Sequence, residues 1–293
     1  MQYIPSHFLA PATESARIKM HESILNISPS VEYFRIGKSI SGRELLAYKI
    51  GNGRGRVAFF AAHHALESIT ANLLYSVIYL ALSGRAPVGN GNSLSHLLSL
   101  YTYYFVPCVN PDGIELRLTL SSDSPIAYRF CHLYESFPRW QANERGVDLN
   151  HNYDYGFYEY KSIERERKIS AGATLYSGEY PESEPESRAA ASFVRALAPV
   201  AVVSLHSQGE EIFFFPSTAD RAAASLAKMT GYKLSYPTDT AAYGGLCDYT
   251  GGILSIPSFT LEVGRGKNPL DESQLPSLIA KLTPPLLLLP TLL

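Results

Sequence analysis

A single α/β domain with a mixed, mostly parallel central sheet flanked by helices is what this sequence predicts, on three observations. Short apolar runs alternate with longer helix-forming stretches along the whole chain, the pattern of strands joined by helical crossovers. Neither an internal repeat nor a linker-like shift in composition divides the 293 residues, so length and apolar content fit one large core. Several reactive polar residues fall where apolar runs end, and the carboxyl ends of strands are where open α/β sheets place their sites.

In order, residues 12–28 read as a helix leading into 32–40 and 44–51, two alternating runs joined by Ser41-Gly42-Arg43 as a hairpin. This amino-terminal part, 1–55, is expected to belong to the same domain as the rest of 1–293. Residues 57–62 are a strand and 66–82 a long helix, followed by a glycine- and serine-rich connection at 84–95. A buried strand at 101–109 ends in Asn110-Pro111-Asp112-Gly113, which has the composition of a turn. Residues 119–152 lack periodicity and carry the only tryptophan, Trp140, so they read as a long functional loop. Ser183 stands where a helix to 197 needs its cap, with Pro185 in the first turn and Glu186 closing a capping box; Pro199 stops it. Strands at 200–205, 212–215 and 258–263 and helices at 221–231 and 271–282 complete the alternation. The apolar end, 284–293, is too short and too interrupted by proline to span a bilayer and reads as a tail packed on the core.

A net charge of −2 with scattered basic residues excludes a nucleic-acid footprint. The mixed run Glu164-Arg165-Glu166-Arg167-Lys168 reads as a solvated helix face. Three cysteines, Cys108, Cys131 and Cys247, are too few and too irregularly spaced for a disulfide scaffold or a cysteine zinc site, and are expected to be reduced. Residues 1–10 lack the basic and apolar regions of a secretory signal, which predicts a cytoplasmic protein with no membrane span.

The chemistry starts at Ala61-Ala62-His63-His64-Ala65-Leu66-Glu67, a strand-to-helix turn that sets His64 three residues before Glu67. His206 and Glu262 stand at the ends of two further apolar strands. Two imidazoles and one carboxylate suit a catalytic zinc, leaving a fourth position for water, and a second carboxylate nearby can take that water's proton. Each residue alone is more simply a core histidine or a structural ion pair; together they point to metal chemistry.

Five ordered motifs resemble the zinc carboxypeptidases related to carboxypeptidase A. They are HHALE at 63–67, Asn110-Pro111-Asp112-Gly113, Gly146-Val147-Asp148-Leu149-Asn150, Ser204-Leu205-His206-Ser207 and Phe259-Thr260-Leu261-Glu262. The resemblance implies one zinc ion held by His64, Glu67 and His206, with Glu262 as general base and proton shuttle. It implies that Asp148 orients His64, and that Arg145 polarises the scissile carbonyl, with Arg139 as the alternative. Tyr243 falls where the family has a mobile tyrosine that closes over substrate, although Tyr243 and Tyr249 are equally readable as packed aromatics. Asn150, His151, Ser207 and Cys247 fall at substrate-binding positions.

Three departures bear on substrate. His151 stands where the digestive enzymes carry the arginine that grips a free terminal carboxylate, and an imidazole offers no bidentate fork. Cys247 supplies no charge to the side-chain pocket, and Asp248 matches a different position of the family. The ending Glu262-Val263-Gly264-Arg265-Gly266-Lys267-Asn268-Pro269-Leu270 resembles the bacterial branch of γ-D-glutamyl-meso-diaminopimelate peptidases, where Arg265 and Lys267 would meet an extra substrate carboxylate. The expectation is therefore a zinc metallopeptidase acting on peptides or cell-wall muropeptides. The alternatives are an ordinary carboxypeptidase, a catalytically inactive peptide-binding relative, and a zinc deacylase sharing the sheet and the metal site.

Overall fold

In the computed structural model, which describes residues 4–89, 91, 93–119, 138–215, 219–236 and 238–293, eight strands form one sheet in the order β1-β2-β4-β3-β5-β8-β6-β7. The strands are β1 Glu32–Lys38, β2 Glu44–Ile50, β3 Gly55–Ala61, β4 Tyr101–Val106, β5 Ala201–His206, β6 Glu211–Phe214, β7 Lys233–Ser235 and β8 Ser258–Glu262. The centre, β4-β3-β5-β8, is parallel, while β1-β2, β2-β4 and β6-β8 pair antiparallel. This is the single α/β domain with a mixed, mostly parallel sheet that the sequence predicts. Central strands buried on both faces carry unbroken apolar runs rather than alternation, and every residue from Val57 to Ala61 and from Ala201 to His206 is buried.

The helices are α1 Glu14–Ile27, α2 Ser68–Leu82, α3 Leu94–Leu100, α4 Pro111–Thr119, α5 Phe157–Arg167, α6 Pro185–Leu197, α7 Asp220–Thr230, α8 Leu246–Gly252 and α9 Leu275–Leu288. One stretch among the described residues, Ala65–Leu82, is long and apolar enough to cross a membrane, but 94% of it is buried inside the protein. A helix apolar all round is a core helix when protein surrounds it.

Local expectations fail in instructive places. Asn110-Pro111-Asp112-Gly113 is not a turn but the start of α4: the Asn110 side chain caps it by accepting the Gly113 N–H at 3.0 Å, with Pro111 at the first helical position. Ser183 does not cap α6, whose N-cap is Glu184, and Glu186 closes no capping box. Instead Asn152 orders that terminus, accepting from the Glu184 N–H and donating to the Ser183 hydroxyl, while Glu186 accepts from Ile40 N across the hairpin. The run is helical over 164–167, with Lys168 as the left-handed cap, yet Glu164 is buried, accepting from Ser177 N and Lys161 Nζ. Helix α9 runs past the predicted end through Pro284 and Pro285. Burying Leu286, Leu287, Leu288 and Leu289 at about 1.5–3 kcal/mol each outweighs about 3 kcal/mol per interior proline. The 119–152 loop lies mostly outside the described residues, as does Cys131; Cys108 and Cys247 are buried and free.

Glu186 illustrates a cost within this packing. Burial, aided by the charges of Asp112 and Glu184, pushes its carboxyl up to about 8 against the opposing pull of the Ile40 N–H. The folded state therefore binds this proton more tightly than the unfolded chain, and the contribution of Glu186 falls as pH rises from about 4.5 to 8 by about 1.4 kcal/mol per pH unit. We expect Glu186→Gln to be more stable than the wild type at pH 8 and to flatten that slope, read from urea midpoints between pH 5 and 8. Parallel midpoint curves for the two proteins would show that Glu186 stays ionised.

Candidate active site

Strands β3, β5 and β8 end side by side, and the site is assembled at their carboxyl ends. After Ala61 the chain makes one residue of left-handed backbone, Ala62 at φ 56°, held by hydrogen bonds from its N–H to Thr70 Oγ1 and to its carbonyl from Asn110 N, both 3.0 Å. Beyond it His64 is extended (φ −94°, ψ 127°), and because successive side chains on extended backbone point to opposite sides, the adjacent histidines meet different surroundings. His63 is fully buried: its Nε2 lies 2.9 Å from Tyr153 Oη, its Nδ1 3.3 Å from Ser204 Oγ, and its ring stacks on His206. Burial first, then the neighbouring His206 and His64, hold its pKa well below the ordinary value. As the HxxE spacing predicts, it is His64 that faces the cluster.

His64 Nδ1 is 3.0 Å from Glu67 Oε1, His206 Nδ1 is 3.0 Å from Glu67 Oε2, and the two Nδ1 atoms stand 3.3 Å apart. The three potential ligand atoms lie within 4.8 Å of one another. Two imidazole nitrogens turned on each other and on one carboxylate form a donor set that a cation satisfies and that suits zinc. His64 Nε2 sits 3.1 Å from Asp148 Oδ1, an interaction that fixes the ring and leaves Nδ1 free to ligate. Asp148 Oδ2 in turn accepts from Leu175 N at 3.0 Å and Thr174 Oγ1 at 3.2 Å. Burial opposes the ionisation of Asp148, but His64 first, then His151 and the Leu175 N–H, hold its carboxyl far below the usual range. Burial likewise opposes the ionisation of Glu67, which His64 and His206 bring down to about 2.

Glu262 is paired with His206 in the β5–β8 register and faces the cluster from the neighbouring strand. Desolvation chiefly, then the charges of Glu67 and Glu211, raise its pKa well above the carboxylate value against the pull of His64. A desolvated carboxylate beside a metal cluster is suited to taking and returning protons.

The remaining predicted residues divide. Ser207 Oγ donates to Asn268 Oδ1 at 2.8 Å, and Asn268 Nδ2 lies 3.4 Å from Glu67 Oε1, so Ser207 and Asn268 border the cluster. Asn150 Oδ1 accepts from Leu246 N. His151 is buried, its Nδ1 2.8 Å from the Tyr243 carbonyl and its ring 4.4 Å from Tyr160 in a parallel stack. Tyr243 packs over Gly156, and Gly244 next to it is held at φ 73° against the His151 backbone, where a Cβ would lie 2.5 Å from a carbonyl oxygen. Tyr249 is a packed aromatic bound to Arg195. Cys247 is buried, its Sγ 3.1 Å from the Phe259 carbonyl, in a wall shared with Asp248 and Thr260, and burial pushes the thiol up to about 12. Arg265 binds Glu210 at the surface and Lys267 is exposed.

Arg145 is not brought to the cluster. Half-exposed, its Nη1 is 3.6 Å from Glu184 Oε2, and it lines a cleft with Tyr176, Gly178, Glu179 and Tyr180 that includes none of the metal-site residues. Arg139 is exposed. Sequence reasoning missed Gln141 and Thr174. The Gln141 carbonyl accepts from Ala65 N at 2.9 Å, and its side chain meets the Thr174 hydroxyl that also bonds Asp148. The run Trp140-Gln141-Ala142-Asn143 pointed to this stretch, but only the fold shows that Gln141 touches the metal turn.

Comparison with known proteins agrees with this fold. The family model described as zinc carboxypeptidase matches residues 20–282. Gamma-D-glutamyl-L-diamino acid endopeptidase 1 of Lysinibacillus sphaericus is 29% identical over 262 residues, covering 84% of this chain and 64% of that protein, so the chain spans less than two thirds of that relative's length. Thrombin activatable fibrinolysis inhibitor shares the fold with a TM-score of 0.74 at 20% identity, covering 99% of this chain and 76% of that one. Murein-tripeptide amidase MpaA from Escherichia coli O157 does so with a TM-score of 0.58 at 20% identity, covering 87% and 91%. With a family model matching nearly the whole chain, and a cluster that could hold a metal ion at the strand ends, the protein belongs to the zinc carboxypeptidase family.

Proposed function

We propose that this chain is a zinc-dependent peptidase that hydrolyses the amide bond between a γ-D-glutamyl group and a diamino acid in muropeptides. The observation that carries the reading is the convergence of His64, Glu67 and His206 with Glu262 one strand away. The substrate class rests on the endopeptidase relative. One zinc ion at the three ligands supplies Lewis acidity, which acidifies a water and polarises a carbonyl. Glu262 takes a proton from the attacking water and returns it to the leaving amine, which one carboxylate can do in sequence. Asp148 holds the His64 ring in its ligating orientation, and Asn268 steadies Glu67. His63, neutral and bound to Tyr153 and Ser204, packs behind His206 as part of the wall.

The state of His151 favours γ-glutamyl cleavage over removal of an ordinary terminal residue. Its ring is committed to Tyr243 and Tyr160, so this position offers a terminal carboxylate no fork. Amidating the substrate's carboxyl end is expected to change kcat/KM less than tenfold; a loss of a hundredfold or more would restore the carboxypeptidase reading. Arg145→Ala is expected to lower kcat less than tenfold, because its partner is Glu184 in a separate cleft. A loss of about 10²–10³ would instead place the guanidinium on the oxyanion. The reading as a whole is tested by incubating zinc-loaded protein with a γ-D-glutamyl-diaminopimelate tripeptide and with a peptide ending in an aromatic residue. Cleavage of the first supports it, and cleavage of the second alone would sink it. An inactive binding relative is disfavoured because His64, Glu67 and His206 form a cluster that could hold a metal and Glu262 stands on the neighbouring strand.

A further inference from the structure

A cleft of about 270 Å³ opens where α1 crosses the carboxyl end of β4, lined among others by Arg17, Ile18, Leu46, Tyr75, Pro107 and Pro111. None of the metal-site residues contributes to it. Arg17 is 7% exposed, and its Nη1 donates to the Ala12 carbonyl at 2.5 Å, a neutral partner. A guanidinium does not give up its proton in a protein, and a charge taken out of water is ordinarily paired. Yet Glu14 and Glu44, which line the same cleft, and Asp112 beside it are engaged by other cations. Arg43 holds Glu14 and Asp112, Arg35 holds Glu44, and Glu115 accepts the Glu14 N–H at the start of α1. Among the described residues Arg17 has no carboxylate partner.

We propose that this cleft is a second binding site, for a small organic carboxylate with an aliphatic or aromatic body. The carboxylate would take the fork of Arg17, and the body would lie against Ile18, Leu46, Tyr75 and the two prolines. An inorganic anion would answer the charge and leave that apolar wall uncovered. The volume is just below the usual range for small-molecule pockets and suits a ligand of about ten heavy atoms or fewer. The site is separate from the metal cluster but connected to it. Pro111 in its wall follows Asn110, whose Nδ2 donates to the His63 carbonyl at 3.0 Å.

The test is calorimetric titration of the zinc-loaded chain with 4-methylpentanoate and with its neutral amide. The carboxylate is expected to bind the wild type and Glu262→Gln equally, and the amide at least tenfold more weakly. Arg17→Met should weaken carboxylate binding at least tenfold. Leu46→Trp, which fills the cleft and leaves Arg17 in place, should do the same and serves if Arg17→Met fails to fold. Equal affinity in the wild type and the folded cleft variants would overturn the proposal, since the carboxylate would then sit elsewhere. Equal affinity for acid and amide, or no saturable binding to the wild type, would overturn it as well.

Discussion

Glu262→Gln is expected to retain the metal and lower kcat by about 10²–10⁴, the range that a positioned general base contributes. The expectation rests on what Glu262 touches and what it does not. It is no member of the three-atom cluster formed by His64, Glu67 and His206, so glutamine leaves the ligands unchanged. Its place on β8 opposite His206 keeps it next to that cluster. An amide of the same shape cannot accept the water's proton. Metal content by atomic absorption, together with kcat on the γ-D-glutamyl tripeptide, separates the cases. Wild-type turnover would refute the base assignment, and loss of metal would make Glu262 a ligand.

Removing the ion is expected to abolish measurable turnover and to lower stability. A group that binds only the folded state stabilises it by about 4 kcal/mol at a thousandfold excess over its Kd. Chelation should therefore lower the thermal midpoint, and added zinc should restore both readouts. Asp148→Asn tests the support beneath the ligands. Its carboxylate fixes His64 from the far side of the ring, and such supporting groups contribute about 10–100-fold to metal affinity. We expect a weakening in that range by competition with a chelating dye. Full activity in the chelated protein would exclude the metal mechanism, and unchanged affinity in Asp148→Asn would show that His64 is positioned without it.

Much of this architecture was legible in the sequence because the determining interactions are local or periodic. The apolar run of β3 stops at Ala61 and the imidazole and carboxylate follow at helical-turn spacing, so the HxxE turn announces itself. His206 and Glu262 are legible for the same reason, each ending an apolar strand. Failures occur where a distant partner decides. Asn152 orders the start of α6 from far along the chain, and Ser183 alone looks like the cap. Arg145 stands beside the Gly-Val-Asp motif in sequence, but Glu184 draws it to another cleft. The short β7, three residues long, carries no periodicity to detect, and the buried leucines of α9 override the proline signals at 284 and 285. Arg17 shows the complementary limit: nothing near it in sequence reveals that the surrounding acids are already taken.

The left-handed residue before the two histidines has a consequence for portability. Left-handed backbone at a residue other than glycine costs about 1–3 kcal/mol and persists only where its surroundings enforce it. Here the enforcement comes from Thr70 on the following helix and from Asn110 beyond the next strand. Grafting His-His-Ala-Leu-Glu onto the end of another parallel strand would therefore carry over the ligands without the chain reversal that precedes them. The two imidazoles would still point apart, as neighbours on extended backbone do, but the transplanted motif would need its two distant anchors before it could turn His64 and Glu67 toward an ion.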